Sequence, residues 1–434
     1  MRPVMSEGKR RLYSWICFDF ANSAYGTIVG TFVYATLFTT KIAADEVSGT
    51  FIWGVAVAIS SVTIGLLSPI LGAIADAYSW KRRMMGSCVA LCSIASFALF
   101  FPMPGQAILA AIIFSIGTIA IELAIVFNNA FLPEIATKKS HGKVSRQAFA
   151  AGYLGGLLCL GLSLIGFVDT DSPWFGFSED AVQNVRATSL LVGAWVFVFA
   201  LPMLLLVKEK QIPRPSRVVD EVVSSAISRL AETFRNIRSF QNIFWLFVSR
   251  IFYNDALITA FTFGAIYAAG TFQFSPEQIL VFGVVLNVFA GFGALGFSFL
   301  EDRIGSRRTI IISLICLSAS STAAVFVETS AGFWACAIVL GIFIGPNQSA
   351  SRAFLSRIAP SDKVNEFFGF FAFSGKATSF VGPLLCGALT ATYDSQRVGM
   401  AIAPVLFVIG LVVLVFKTCS FSGEEKQDKH PACF

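Results

Sequence analysis

The sequence predicts an all-α integral membrane protein: twelve transmembrane helices in two pseudo-symmetric six-helix bundles. Three observations carry that expectation. First, 56% of the 434 residues are hydrophobic and 13% charged, against about 45 to 50% and 25% in an ordinary soluble domain, and mean hydropathy is +0.74. Second, the chain divides into twelve apolar stretches near the length of about 20 residues that a spanning helix needs. Third, the motifs of the first half return in the same order in the second.

Segment one, residues 12–41, carries Asp19 and Asn22, three residues apart and so on one helical face. A carboxylate in hydrocarbon costs roughly 2.5 to 3.5 kcal/mol on insertion scales, so that face turns either to a polar cavity or to a structural partner such as a helix end or basic loop. The segment is too long and too polar for a signal-peptide core and is expected to be retained. Segment two (50–76) ends in LGAIADAYSWKRR, and segment three occupies 84–101. Segment four (107–133) holds Glu122, with Asn129 seven residues on along the same face and Asn128 beside it. Segments five and six cover 147–168 and 187–207 and complete an N-terminal bundle, 1–207.

Residues 208–241 form the longest polar stretch. Pro213 and Pro215 break structure there, and Val219, Val222, Val223, Ile227, Leu230 and Phe234 then recur at near-helical spacing. That pattern predicts an amphipathic helix on the inner membrane surface.

Segment seven (242–270) places Arg250 and Asn254 at i, i+4, followed by Asp255 about half-way across. Segment eight (276–300) contains GFGALG, which fits Gly-x-Gly-x-x-Gly by letter but follows no strand, so it marks close helix approach and not a nucleotide site. Segment nine is 308–327, and segment ten (332–356) supplies Asn347, Gln348 and Arg352. Segment eleven (366–392) has Lys376 near its centre, where an ammonium must find a carboxylate, a substrate anion or a lowered pKa. Segment twelve (396–417) closes a C-terminal bundle, 242–417, before a tail at 418–434.

Charge placement sets the expected orientation. Lys and Arg crowd alternate loops, such as Lys81–Arg83, Lys138–Arg146 and Arg303–Arg308, whereas the intervening loops hold only Lys41, Arg186 and Arg397 and are otherwise acidic. This is the positive-inside pattern, and an even helix count then puts both termini in the cytoplasm. It also accounts for the net charge of +6 without a nucleic-acid partner. None of the nine Cys lies in an outside loop, so no disulfide framework is expected. There is no Walker loop, and His141 and His430 form no ligand cluster, so neither an ATP-driven pump nor a resident metal or other cofactor is expected.

The repeat is legible in detail. AFLPEIA at 130–136 answers AFLSRIA at 353–359, and ANSAYGT at 21–27 answers YNDALIT at 253–259, pairing Asn22 with Asn254, Ala24 with Ala256 and Thr27 with Thr259. LGAIADAYSWKRR answers LGFSFLEDRIGSRR. Repeated halves with a site near the midplane are a common build of secondary transporters.

DRIGSRR, Asp302 to Arg308, resembles the cytoplasmic loop signature of the major facilitator superfamily. The first-half copy keeps Asp76 and Lys81–Arg83 but has Ala77, Ser79 and Trp80 where the pattern has Arg, Gly and Arg. FDFANSAYGTIVGTF, LLSPILGAIAD and EFFGFFAFSGKATSFVGPLLCGAL look like the branch related to autophagy-associated vacuolar amino acid effluxers. The resemblance implies a twelve-helix carrier of amino acids or similar metabolites. It also implies a cytoplasmic gate at Asp76, Arg82, Asp302, Arg303, Arg307 and Arg308, and a central cavity lined by segments one, four, seven and ten.

Those four segments are where the intramembrane polar residues concentrate. Asp19, Glu122 and Asp255 are therefore candidate proton or cation carriers and Lys376 a candidate counter-charge, with Asn22, Asn128, Asn129, Asn254, Asn347 and Gln348 completing the pathway. Two rivals stay open. The oxygen-rich set could carry a divalent metal such as iron(II), or the chain could be a non-transporting membrane sensor, although it has no soluble output domain. No nucleophile and base pair supports an enzyme. A monomer in a bacterial inner membrane, or an organelle membrane, is expected.

Overall fold

The computed structural model describes residues 7–418 apart from 138–139, 169–171, 179, 210–227, 229–231, 233–234, 275, 298–300, 302 and 377. The expected amphipathic linker helix falls almost wholly outside the described residues. The described chain is all helical. In order come α1 (Glu7–Ala24), α2 (Glu46–Tyr78), α3 (Lys81–Ala98), α4 (Ala107–Ala130), α5 (His141–Ser163), α6 (Gln183–Leu206) and α7 (Gln241–Phe272). Then follow α8 (Pro276–Gly296), α9 (Ser306–Phe326), α10 (Ser330–Ile358), α11 (Val364–Lys376), α12 (Val381–Tyr393) and α13 (Ile402–Lys417). Eight of the described helices are long and apolar enough to cross a membrane, and every predicted segment is helical, in agreement with twelve spans.

Several segments depart from a plain α-helix, segments one and eleven most of all. Segment one continues from α1 through π-helical turns at Tyr25–Phe32 and Phe38–Ile42. Segment eleven, expected as one helix over 366–392, is two: α11 ends at Lys376, residues 378–380 form a turn, and α12 starts at Val381. Pro383 favours the break, although Pro69, Pro202 and Pro346 lie within helices that continue. Pro383 lacks the N–H that would bond the Ser379 carbonyl, and its ring crowds that carbonyl, which weakens a continuous helix there. In the first turn of a new helix the same residue is tolerated, because no intrahelical donor is needed.

The chain forms two compact units, Met1–Thr137 with Gln147–Val223 and Asp362–Gly369, and Lys138–Arg146 with Ser224–Ser361 and Phe370–Phe434. In the first, α1 packs on α6, and α4 on α2 and α3; in the second, α7 packs on α13, and α10 on α8 and α9. Outward faces are apolar, with Phe51, Ile94, Leu205, Phe292 and Phe416 all exposed. The interiors hold Asp19, Asn128, Asp255 and Asn347. Apolar outside and polar inside is the arrangement of a chain solvated by lipid.

Each unit repeats the other's internal geometry. A Cβ on Gly156 of α5 would stand 2.6 Å from Thr27 Oγ1, and one on Gly382 of α12 would stand 2.1 Å from Thr259 Oγ1. Only glycine admits the threonine hydroxyl so close, and the contact recurs at the positions the repeat pairs. The isolated arginines Arg186 and Arg397 also have structural partners. Arg186 donates to Phe100 O (2.9 Å) beyond the end of α3, and Arg397 donates to Val325 O (2.7 Å) and Val327 O (2.6 Å) at the end of α9. Both satisfy carbonyls that a helix C-terminus leaves over.

Candidate functional site

In the first unit the predicted polar residues of segments one and four meet. Asn22 Nδ2 and Asn128 Nδ2 both approach Asp19 Oδ1, at 3.5 and 3.4 Å. Trp15 Nε1 donates to Asn128 O at 2.7 Å, fixing the last turn of α4 against α1. Asp19 is 6% exposed, and Asn128, fully buried, leaves its Oδ1 without a hydrogen bond. Asn129 is buried next to it, and Glu122 is half-buried further back on α4. The group offers carboxylate and amide oxygens along a π-distorted segment, and π turns are frequent at functional sites.

In the second unit the predicted residues of segment seven grip the break in segment eleven. Arg250 Nε donates to Phe371 O at 3.3 Å, and its guanidinium lies 3.7 Å from the centre of the Phe371 ring. Asn254 Nδ2 donates to Gly375 O at 2.7 Å, satisfying a carbonyl in the last turn of α11. Asp255 Oδ2 accepts the Gly382 N–H at 2.9 Å, in the first turn of α12. A negative group at a helix N-terminus meets both the free donors and the positive end of the dipole. Asp255 is 3% exposed, and its Oδ1 has no hydrogen-bond partner. Lys376, half-buried, is the last residue of α11 and lies on the edge of this break.

Segment ten behaves differently. Asn347 is fully buried with neither side-chain polar atom hydrogen-bonded, while Gln348 is half-buried. One turn on, Ser351 Oγ is hydrogen-bonded to Tyr253 Oη at 2.9 Å, tying α10 to α7. Among the described residues no three His, Cys, Asp or Glu side chains come together as a metal site.

Of the predicted gate residues, Asp76, Arg82 and Arg307 make contacts at helix ends. In the first unit Asp76 accepts from Asn365 Nδ2 and from Glu366 N (2.9 Å), in the first turn of α11. Lys81 pairs with Glu134, and the amides of Lys81 and Arg82, at the start of α3, donate to Glu209 at 3.1 Å each. In the second unit the buried carboxylate of the loop motif is Glu301, which is paired with Arg146 at 2.5 Å and accepts from Ser306 Oγ. Asp302 lies outside the described residues. Arg307 donates to Thr418 Oγ1 and Val415 O at the end of α13, while Arg303 and Arg308 are exposed. Arg352 spends Nε and Nη2 on Ser145.

Sequence reasoning missed Glu301, Arg146 and the helix break. The signals were present: an acidic residue directly before the motif, a basic residue directly before segment five, and Gly382-Pro383 within segment eleven.

The family described as vacuole effluxer Atg22 like matches residues 41–426. The chain belongs to this family. An uncharacterized MFS-type transporter YxiO of Bacillus subtilis is 28% identical over 431 residues, covering 98% of this chain and 99% of the relative. Autophagy-related protein 22 of Yarrowia lipolytica is 24% identical over 63% of this chain, which spans only 50% of that relative. Among solved structures, the human organic anion transporter MFSD10 has a TM-score of 0.74 at 13% identity, covering 94% of this chain and 100% of that one. A bacterial homologue of the iron transporter ferroportin has 0.71 at 15%, covering 95% and 99%. These likenesses establish the major facilitator fold, and with the family they make this Atg22-like chain a transporter.

Proposed function

We propose that this Atg22-like protein moves amino acids or related small metabolites by alternating access, coupled to protons. The observation that carries the reading is the buried carboxylate each unit presents among amides on its first long helix: Asp19 with Asn22 and Asn128, and Asp255 beside Asn254. Carboxylates at such depth in apolar helices are costly and mark ion or substrate paths. They supply negative charge for a proton or an ammonium group, and Lys376 supplies the opposite charge for a carboxylate. Glu122 and Asn129 extend the polar set of the first unit, and Asn347 and Gln348 that of the second. Residues 1–207 and 242–417 act as the two bundles, 208–241 as linker and 418–434 as tail, with both termini cytoplasmic, in a monomer of a bacterial inner membrane.

The test is uptake into proteoliposomes with a labelled amino acid mixture and iron(II) run in parallel, with and without a pH gradient. Gradient-dependent amino acid flux that falls in Asp255→Asn and Lys376→Ala is expected. Unchanged flux in both variants sinks the site assignment. Metal flux alone transfers the oxygen-rich cluster of the first unit to cation coordination.

A further inference from the structure

Segment eleven is cut where segment seven can hold both ends, and several backbone groups at the cut have identified partners. On the α11 side, Phe371 O receives Arg250, Gly375 O receives Asn254, and Lys376 O receives Ser379 N (3.3 Å) and Oγ (3.0 Å). On the α12 side, Val381 N donates to Thr378 O at 2.8 Å, Gly382 N donates to Asp255, and Pro383 has no N–H. The donors of the first turn are therefore all used. The N–H groups of Val381 and Gly382 are thus not free for a substrate carboxylate. What stays open is on the acid: Asp255 Oδ1, buried and without a hydrogen bond, 3.2 Å from where a Cβ of Gly382 would stand.

We propose that Asp255 Oδ1 is the coupling-proton position, and that its proton works by releasing the α12 N-terminus from α7. The inference rests on the proton-coupled reading above and assigns one of its three carboxylates. Ionised, Asp255 carries a full negative charge against the dipole and the Gly382 N–H, which is a charge-assisted hydrogen bond. A proton arriving from water at Oδ1 neutralises the group and leaves Oδ2 a weaker, uncharged acceptor. The clasp loosens, and the segment pivots at the turn 378–380, between the end of α11 and the start of α12. Release of the proton restores the cap.

Other charged groups on the elements packed around α7 are engaged as follows. Arg250, on the same helix, is stacked on Phe371; Arg397 holds the end of α9; Arg352 is bonded to Ser145; Lys417 lies over Trp245. Lys376 ends α11, and the described side chains of α8 include none that ionises. The first unit shows that the clasp is not demanded by the fold. There Ser23 occupies the position the repeat pairs with Asp255, its hydroxyl bonds back to Asp19 O at 3.0 Å, and α5 runs unbroken past Gly156. The duplicated architecture stands without a carboxylate at this place.

Two measurements on the full chain in lipid test the assignment. Infrared difference spectra between alkaline and acidic buffer should show a protonated carboxyl band that is absent in Asp255→Asn. Hydrogen exchange of the peptide covering 378–388, corrected for the intrinsic pH dependence, should speed up roughly ten- to a hundredfold on acidification in the wild type. It should be pH-independent in Asp255→Asn, whose amide oxygen still accepts from Gly382, and fast at both pH values in Asp255→Ala. A band that survives in Asp255→Asn, or wild-type exchange indifferent to pH, overturns the assignment while gradient-driven flux leaves the functional reading standing. A clasp that opens on acidification in a chain whose flux ignores the gradient overturns the proton-coupled reading, and the coupling role with it.

Discussion

Replacing Glu301 by Gln should cost this protein clearly more stability than a typical surface change, because the carboxylate is paired with a fully buried guanidinium. Arg146 and Glu301 both have 0% exposed side chains and meet at 2.5 Å. At an effective dielectric of about 20 the Coulomb attraction at that distance is roughly 7 kcal/mol. Desolvation of two ions takes back several kcal/mol each, so the pair's net worth is small. Removing one partner is another matter, since the remaining charge keeps its desolvation cost, and losses of about 3 to 5 kcal/mol are typical. Gln retains an oxygen for the Ser306 hydroxyl, so the loss reports charge and not that hydrogen bond. The assay is equilibrium unfolding in mixed micelles for the wild type, Glu301→Gln, Arg146→Met and the double variant. Each single change should lose about 3 to 5 kcal/mol and the double change clearly less than their sum, with a coupling of at least about 2 kcal/mol. A Glu301→Gln loss under about 1 kcal/mol, or strict additivity, refutes the reasoning.

Gly382→Ala puts a methyl 2.1 Å from Thr259 Oγ1 and should cost about 1 to 3 kcal/mol by overpacking; adding Thr259→Ala should recover most of it in the same unfolding assay. Asn347→Leu removes two buried polar atoms that have no hydrogen bonds and should stabilise the chain by about 1 to 3 kcal/mol. If Asn347 belongs to the transport path, the same variant loses flux, and a destabilised variant contradicts the burial argument. Glu209 gives a pH signature: burial raises its carboxyl above the ordinary 4.5, against the lowering effect of the Arg82 amide. The folded state then holds the proton to higher pH than the unfolded state, so this group's contribution to stability falls as pH rises from 4.5 through the raised value and is flat above it. Thermal unfolding of Glu209→Gln should lack that decline, and a wild-type contribution that rises over the same window reverses the sign and refutes it.

The sequence by itself determined the class, the spans, the duplication and the family, because each rests on a local or periodic property. Hydropathy over about 20 residues reports a span without reference to any neighbour, and the pairing of Thr27 with Thr259 is a matter of order along the chain. It also marked the carboxylates and amides of segments one, four and seven, since a polar side chain in an apolar run is conspicuous wherever it points. Partnership was beyond it. Asp76, Glu209 and Asp255 cap helices that start elsewhere in the chain, and Glu301 is matched with a guanidinium 155 positions away. Hydrogen bonds and ion pairs act over about 3 Å in space, whatever the separation in sequence. The break in segment eleven stood between these cases. Pro383 marked a weak point that Pro69, Pro202 and Pro346 show a helix can pass, and only the packing of α7 against both ends accompanies the separation there and places a buried carboxylate oxygen at the cut.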